Sequence, residues 1–341
     1  MSVRSLEAQL QALTAHRDCA GCCSLWSNYQ AMKQYLTDHY YPWVQASYPW
    51  YTDHGEKHVT SVLSTCDLLL PHLLHGKDSL TCLSIYLMLC AIIWHDTGMV
   101  ATRSGHAAEA AKHIEKVREL CFPDPSISRL VSQIARAHSG DDVWRGLRPQ
   151  ENLTPPCAKH SQTVHPQAIA AILRYADEIS ENHTRVTPAM LDQVPPDSRI
   201  FWDYALTVKA CKPEPERHRA VINMELQVDD AVRRYGCPDR CKEYADDKGQ
   251  ITLIEYVVYR LQRMNRERLY CFPYLNTYVQ MSAIEVRLQL CHDIDCREYT
   301  FELQDGGLRR SGYPIAGIFN DFFAEFPDLQ PAQLLAEATN A

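Results

Sequence analysis

Glycine is sparse in this chain, 13 residues in 341, and none belongs to a Gly-rich phosphate loop or Walker pattern. An excess of basic charge is missing too. The 34 Lys and Arg face 42 Asp and Glu, a net charge of −8, which speaks against a protein that coats nucleic acid and leaves room only for a local basic groove. No apolar run reaches the roughly 20 residues that span a bilayer. The longest, Leu80 to Trp94, contains Thr81 and Ser84 and stops at His95-Asp96, which predicts a buried helix. Met1-Ser-Val-Arg opens no apolar segment of a secretory signal. A cytoplasmic protein without a membrane partner is therefore expected, its 14 cysteines reduced rather than joined in a disulfide framework. There is no internal repeat and no low-complexity tract. What is present, 46% hydrophobic and 22% charged residues, excludes intrinsic disorder and suggests one large or two smaller domains.

Periodicity divides the chain. Residues 1–50 read as a helical extension, with Leu6, Leu10 and Leu13 at helical spacing and an aromatic-rich stretch from Trp26 to Trp43. Residues 51–195 continue as helices: one from Val59, one ending at Trp94, one over 105–120, one over Ile127–His138 and one over Ala168–Ser180. Between Ser139 and Pro166, Gly140, Gly146, Pro149, Pro155 and Pro156 predict a long loop of the kind that forms lids. After Pro195-Pro196 the period changes from 3.6 to 2. Tyr204 to Ala210 and Val221 to Val228 alternate around Lys212-Pro-Glu-Pro-Glu, which predicts a hairpin. A helix near 241–269 and strands at Tyr278–Leu290 and Tyr299–Leu303 complete an α+β region over 196–341.

Four groups in the helical part carry candidate chemistry. They are His54-x-x-x-His58, His95-Asp96 at a helix end, His106 with His138, and Asp177 within Leu173-Arg-Tyr-Ala-Asp177. Imidazole and carboxylate are ligands for divalent transition metals. Each residue also has an ordinary reading. Asp177 follows Arg174 by three positions and would suit a surface ion pair. His138 at a helix C-terminus would suit the macrodipole. His113 competes with His106.

The order His … His-Asp … Asp resembles the HD superfamily of metal-dependent phosphohydrolases over roughly residues 50–190. His58 with Val62 four positions on, the doublet closing Ile92-Ile93-Trp94-His95-Asp96, and Leu173-Arg-Tyr-Ala-Asp177 carry the resemblance. It implies a first metal held by His58, His95, Asp96 and Asp177. It implies a second held by His106 and His138 with Asp96 bridging, in subfamilies with two ions. His54, four residues before the first ligand, matches the proton donor of the superfamily's cyclic-nucleotide phosphodiesterases. A capping or supporting role is the alternative. Arg174 and Arg185 are candidate phosphate-reading groups.

Other features carry less. Arg260, Arg263, Arg266 and Arg268 read as a solvated helix face before an anion-binding surface. Cys19-x-x-Cys22 has metal or redox spacing, and Cys237-x-x-x-Cys241 or Cys291 with Cys296 would complete a site only if the fold brought them close. The rings from Trp43 to Tyr51 read as core before base-stacking surface.

The expected fold is mostly α: an HD-type helical domain followed by a smaller α+β region with an antiparallel hairpin or sheet. The resemblance implies a metal-dependent phosphohydrolase with one or two ions (Mn, Fe, Ni, Co or Zn) and metal-activated water as nucleophile. Its substrate would be a nucleoside phosphate or a phosphodiester-linked nucleotide. A non-catalytic HD nucleotide-binding module and a di-iron HD oxygenase are the alternatives. Residues 196–310 are expected to add no metal ligand.

Overall fold

The computed structural model describes residues 5–15, 23–74, 80–122, 124–139, 147, 153–159, 162–292 and 295–303. Two compact units emerge, and they interleave along the chain. One collects residues up to Pro49, Asp53–Ser180 and Tyr270–Met281. The other collects Trp50–Thr52, Glu181–Leu269 and the described residues from Ser282 on.

The first unit is helical. Its elements are α1 (Leu6–Ala15), α2 (Leu25–His39), α3 (Tyr41–Ser47), α4 (Glu56–Leu69), α5 (Cys82–Trp94), α6 (His106–Cys121), α7 (Pro125–Ala137) and α8 (Pro166–Ile179). Every residue of α5 is buried. A helix apolar on all sides must be surrounded, and α1, α2, α4, α7 and α8 all pack on it. The segment Cys82–Val100 is long and apolar enough to pass for a membrane span, yet 94% of its most apolar window is buried inside the fold. It is the core helix expected from its composition. Its start is set by Thr81, whose hydroxyl accepts from the Ser84 N–H at 3.1 Å. In α7, Asp124 caps at 2.7 Å from the Ser126 N–H and Pro125 opens the first turn. Within the predicted loop 139–166, β1 (Cys157–Lys159) and β2 (Gln162–Val164) form a short antiparallel hairpin. Most of the rest of that stretch, Gly140 and Gly146 included, lies outside the described residues.

The second unit is α+β. It holds α9 (Pro196–Thr207), β3 (Val208–Glu214), β4 (Arg219–Gln227), α10 (Val228–Ala231), β5 (Arg234–Gly236), β6 (Gln250–Thr252), the first part of α11 (Leu253–Leu275), β7 (Ala283–His292) and β8 (Asp295–Leu303). The four-stranded sheet runs β3-β4-β7-β8. Both hairpins are antiparallel, and they join through a parallel β4–β7 pair, with Arg219 opposite Ala283 and Gln227 opposite Cys291. A parallel neighbour needs a long crossover, and residues 228–282, α11 among them, supply it.

Three local expectations are corrected. Alternation from Tyr204 predicts strand, but Pro196 begins a helix that lasts to Thr207, because Ile200, Tyr204 and Ala205 also match a helical stripe that the core buries. The helix expected near 241 begins only at Leu253. There Thr252 and Glu255 form a reciprocal cap, with the Thr252 hydroxyl and the Glu255 carboxylate 2.8 Å apart. Cys291 and Cys296, expected as thiols, are directly opposed in the β7–β8 register and form a disulfide. Cys66, Cys157, Cys211 and Cys237 carry free thiols. Cys19 and Cys22 lie outside the described residues.

Candidate metal centre

The first unit brings His58, His95, Asp96, His106, His138 and Asp177 together. His58 sits in the first turn of α4, which begins at Glu56. His54 therefore lies before the helix rather than on its face. His95 and Asp96 follow the last residue of α5, where the helix tightens into the 3-10 turn Thr97–Val100. His106 is the first residue of α6, and His138 ends α7. Asp177 projects from the last turn of α8.

Two glycines make this crossing possible. A Cβ on Gly98 would lie 1.9 Å from the His106 carbonyl oxygen and 2.5 Å from the Ala110 nitrogen. The turn after the doublet thus presses against the first turn of α6 with no room for a side chain. Gly105 holds φ at 76°, a left-handed conformation that starts α6 at His106. Between α4 and α8, Thr65 donates to Ser180 Oγ at 2.8 Å, and Ser180 donates to the Ala176 carbonyl at 2.6 Å. That buried pair ties the helix bearing His58 to the helix bearing Asp177.

Asp96 is the hub. Its Oδ2 lies 3.5 Å from His58 Nε2 and 3.4 Å from His95 Nε2. Its Oδ1 lies 3.2 Å from His106 Nε2 and 3.6 Å from His138 Nε2. Asp177 Oδ1 joins the first group, 2.9 Å from His58 Nε2 and 3.8 Å from His95 Nε2. The Nε2 atoms of His58 and His95 are 3.3 Å apart, and those of His106 and His138 are 3.1 Å apart. Two nitrogens each about 2.1 Å from one ion would subtend angles of about 95–105° at these separations, within the range of tetrahedral and octahedral coordination.

The tautomers agree. Nδ1 of His95, His106 and His138 lies 2.7, 3.0 and 2.5 Å from the carbonyls of Ile92, Arg103 and Ala135. A carbonyl can only accept, so Nδ1 carries the proton and Nε2 offers its lone pair to the cluster. Nitrogen lone pairs facing each other, beside two carboxylates and nearly sealed from water, call for a cation. The residues therefore fit a divalent metal ion, and two groups qualify: His58, His95 and Asp177, and His95, Asp96 and His138.

The electrostatics show the same demand. Burial opposes ionisation of Asp96, but His95, His106 and His138 hold its carboxyl well below the usual range. Asp177 keeps 26% of its side chain exposed; desolvation opposes its ionisation, yet His58 and His95 pull it below the ordinary carboxylate value. Burial disfavours a charged His95, yet Asp96 and Asp177 outweigh it and raise its pKa to about 9. His138 moves the other way, lowered by burial and by the neighbouring His95 and His106 despite its bond to Asp96.

The remaining sequence candidates fall in different places. The His54 ring is 5.6 Å from that of His58, and His54 belongs to neither ligand group. Asp53 shapes its loop, accepting from the Gly55 N–H at 2.9 Å and the His58 N–H at 3.4 Å. Arg174 is buried, its guanidinium 4.9 Å from the Tyr270 ring centre and donating to the Ala137 carbonyl at 3.4 Å. With Arg174 buried and Asp177 against two histidines, the surface ion pair is ruled out. Arg174 instead steadies the end of α7 that carries His138. Arg185 is buried in a 3-10 turn of the second unit. His113 packs its ring 5.4 Å from Tyr40 and takes no part in the ligand groups. The sequence marks Gly98 as the turn after the doublet, and it gives no local signal for Thr65 and Ser180.

Among the described residues, the groups able to hold a metal come from residues 58 to 177. A model of the HD-CE family matches residues 48–248, more than half of the chain. No curated protein and no solved structure matches.

Proposed function

The chain belongs to the HD-CE family, and from that premise we propose that it is a metal-dependent phosphohydrolase acting on a nucleotide. The observation that carries the reading is the shared Asp96 carboxylate, one oxygen toward each histidine pair. Such a carboxylate suits two divalent ions side by side, an arrangement matched to displacement at a phosphoryl centre. Bound ions would supply Lewis-acid charge for the phosphoryl oxygens and lower the pKa of a water ligand.

The chain's own residues do the rest. His58, His95, Asp96 and Asp177 would hold the first ion, and His106 and His138 would complete the second with Asp96. The three Nδ1–H bonds keep the imidazoles oriented, so little reorganisation is needed on loading. His54 lies beside the cluster in a loop shaped by Asp53, and we assign it the proton delivered to the leaving oxygen. The nucleotide assignment rests on the superfamily resemblance. Of the rings from Trp43 to Tyr51, Trp43 is 62% exposed rather than part of the core, and half-buried Tyr51 stacks on Phe201.

The test is a phosphate-release screen over nucleoside mono- and triphosphates, cyclic nucleotides and dinucleotides. It uses the full chain loaded in turn with Mn, Fe, Co, Ni and Zn. Release that depends on metal and disappears in Asp96→Asn supports the reading. Nucleotide binding without turnover by metal-loaded protein would overturn it in favour of a sensing module. Oxygen consumption by the iron-loaded form would overturn it in favour of a di-iron oxygenase.

A further inference from the structure

In the second unit, away from any chemistry assigned so far, the excursion between β5 and β6 carries two thiols. The Cys237 N–H donates to the Gly249 carbonyl at 2.9 Å and closes the β5–β6 ladder. Pro238, Asp239 and Arg240 then turn tightly, and the Cys241 N–H reaches the Pro238 carbonyl at 3.0 Å. This turn folds the chain back on itself, so the two Sγ atoms meet at 3.6 Å. Cys237 donates to the Cys241 carbonyl at 3.2 Å, and Cys241 to the Pro238 carbonyl at 3.3 Å. The excursion is anchored further on. Asp246 accepts from the Lys248 and Gln250 N–H groups at 2.9 and 2.8 Å and pairs with Arg234 at 2.6 Å.

The two sulfurs differ in access. Cys241 is wholly buried in the core of the unit, in the cluster that includes Tyr235, Ile251 and Ile254. Cys237 is only partly buried, at the edge of that cluster. One thiol can therefore meet a solute and the other can meet only its neighbour. The metal-competent groups of the described residues lie elsewhere, around His95.

We propose that Cys237 and Cys241 form a site of reversible oxidation, a dithiol that closes to a disulfide by exchange with a low-molecular-weight disulfide such as oxidised glutathione. Cys237, as thiolate, attacks one sulfur of the small disulfide. Its S–S bond breaks, one glutathione leaves as thiolate, and Cys237 is held as a mixed disulfide. Cys241, deprotonated in turn, attacks the Cys237 sulfur and expels the second glutathione. The protein loses two S–H hydrogens and gains one S–S bond, and the small disulfide is reduced to two thiols. Closure from 3.6 Å to a bonded distance of about 2.05 Å moves the sulfurs by roughly 1.5 Å, within reach of side-chain rotation and a small loop shift. Burial raises the Cys237 pKa, opposed by the contact with Cys241, so exchange should take minutes to hours.

The experiment equilibrates the full-length protein with glutathione buffers of graded ratio, traps free thiols with an alkylating agent and maps the peptides by mass. The expected result is a peptide spanning 237–241 that has lost two hydrogens and returns to a doubly alkylated form as reduced glutathione is raised. In Cys241→Ser, Cys237 should stop as the glutathione adduct. In Cys237→Ser, Cys241 should take up no glutathione, and this surface-side variant serves if the core substitution fails to fold. A wild-type peptide that remains doubly alkylated at every ratio would overturn the proposal. So would one that stops at the glutathione adduct.

Discussion

His106 Nε2 lies 3.2 Å from Asp96 Oδ1, whereas His95, the residue next to Asp96 in the chain, faces the other oxygen, Oδ2, at 3.4 Å. One carboxylate thus faces both histidine pairs, and His95, whose ring lies 4.9 Å from that of His138, borders both. This arrangement makes metal stoichiometry a direct readout. Asp96→Asn should lose both ions and all hydrolysis. His106→Ala and His138→Ala should each lose one ion, and Asp177→Asn should weaken the other. Elemental analysis of the purified variants decides it. Two ions retained in Asp96→Asn would remove Asp96 from its bridging place.

His54 should behave differently from these ligands. His54→Ala is expected to keep its metal and lower turnover by roughly 10²–10⁴-fold, the usual reach of general acid–base catalysis. The loss should shrink for a p-nitrophenyl ester, whose leaving oxygen hardly needs a proton. His58→Ala should fail on both substrates. Equal losses on the two substrates in the His54 variant would assign His54 a supporting role only.

Gly98→Ala tests the crossing of the turn against α6. The new methyl would meet backbone atoms, the His106 oxygen at 1.9 Å and the Ala110 nitrogen at 2.5 Å, and backbone cannot swing aside as a side chain can. Overpacking of this kind typically costs ~1–3 kcal/mol or more, and a domain this size loses about 2–4 °C of thermal midpoint per kcal/mol. The ion on the His106 side should go first. A variant with an unchanged midpoint and both ions bound would show that the turn has slack.

Asp67 gives the pH prediction. Burial raises its pKa to about 6, although the carboxylate accepts from the Leu6 N–H at 2.7 Å. The unfolded value is near 3.9, so the folded protein prefers the protonated form. Ionising Asp67 therefore costs stability as pH rises from about 4 through 6, and the whole penalty is present above that window. Asp67→Asn keeps an acceptor for Leu6 and removes the charge. Its thermal midpoint should exceed that of the parent at pH 8, with the advantage gone at pH 4. A constant difference across that range would mean that Asp67 does not titrate in the window.

Much of the centre was legible in the residues themselves. Helical periodicity located α7 and α8, because an apolar stripe at 3.6 spacing has few other ways to be buried, and an unbroken apolar run located α5. The doublet at the end of an apolar helix, with histidines and an aspartate in order around it, marked the six side chains that the first unit brings together. Short-range pattern failed where one segment satisfied two periods. Residues 204–207 alternate like a strand yet belong to α9, and only packing against the core chose between the two.

What the sequence by itself determined was the kind of atom available at each position and the local conformation that carries it. Tertiary structure alone decided which oxygen of Asp96 meets which histidine, that His54 stands outside the groups able to hold a metal, and that Arg174 braces α7. It also brought Cys291 to Cys296, and Cys237 within 3.6 Å of Cys241. The reason is distance. His58 and Asp177 are separated by more than a hundred residues, and their 2.9 Å contact exists only because α4 and α8 pack together. Periodicity reports which face of a helix is buried. It carries no information about the helix that buries it.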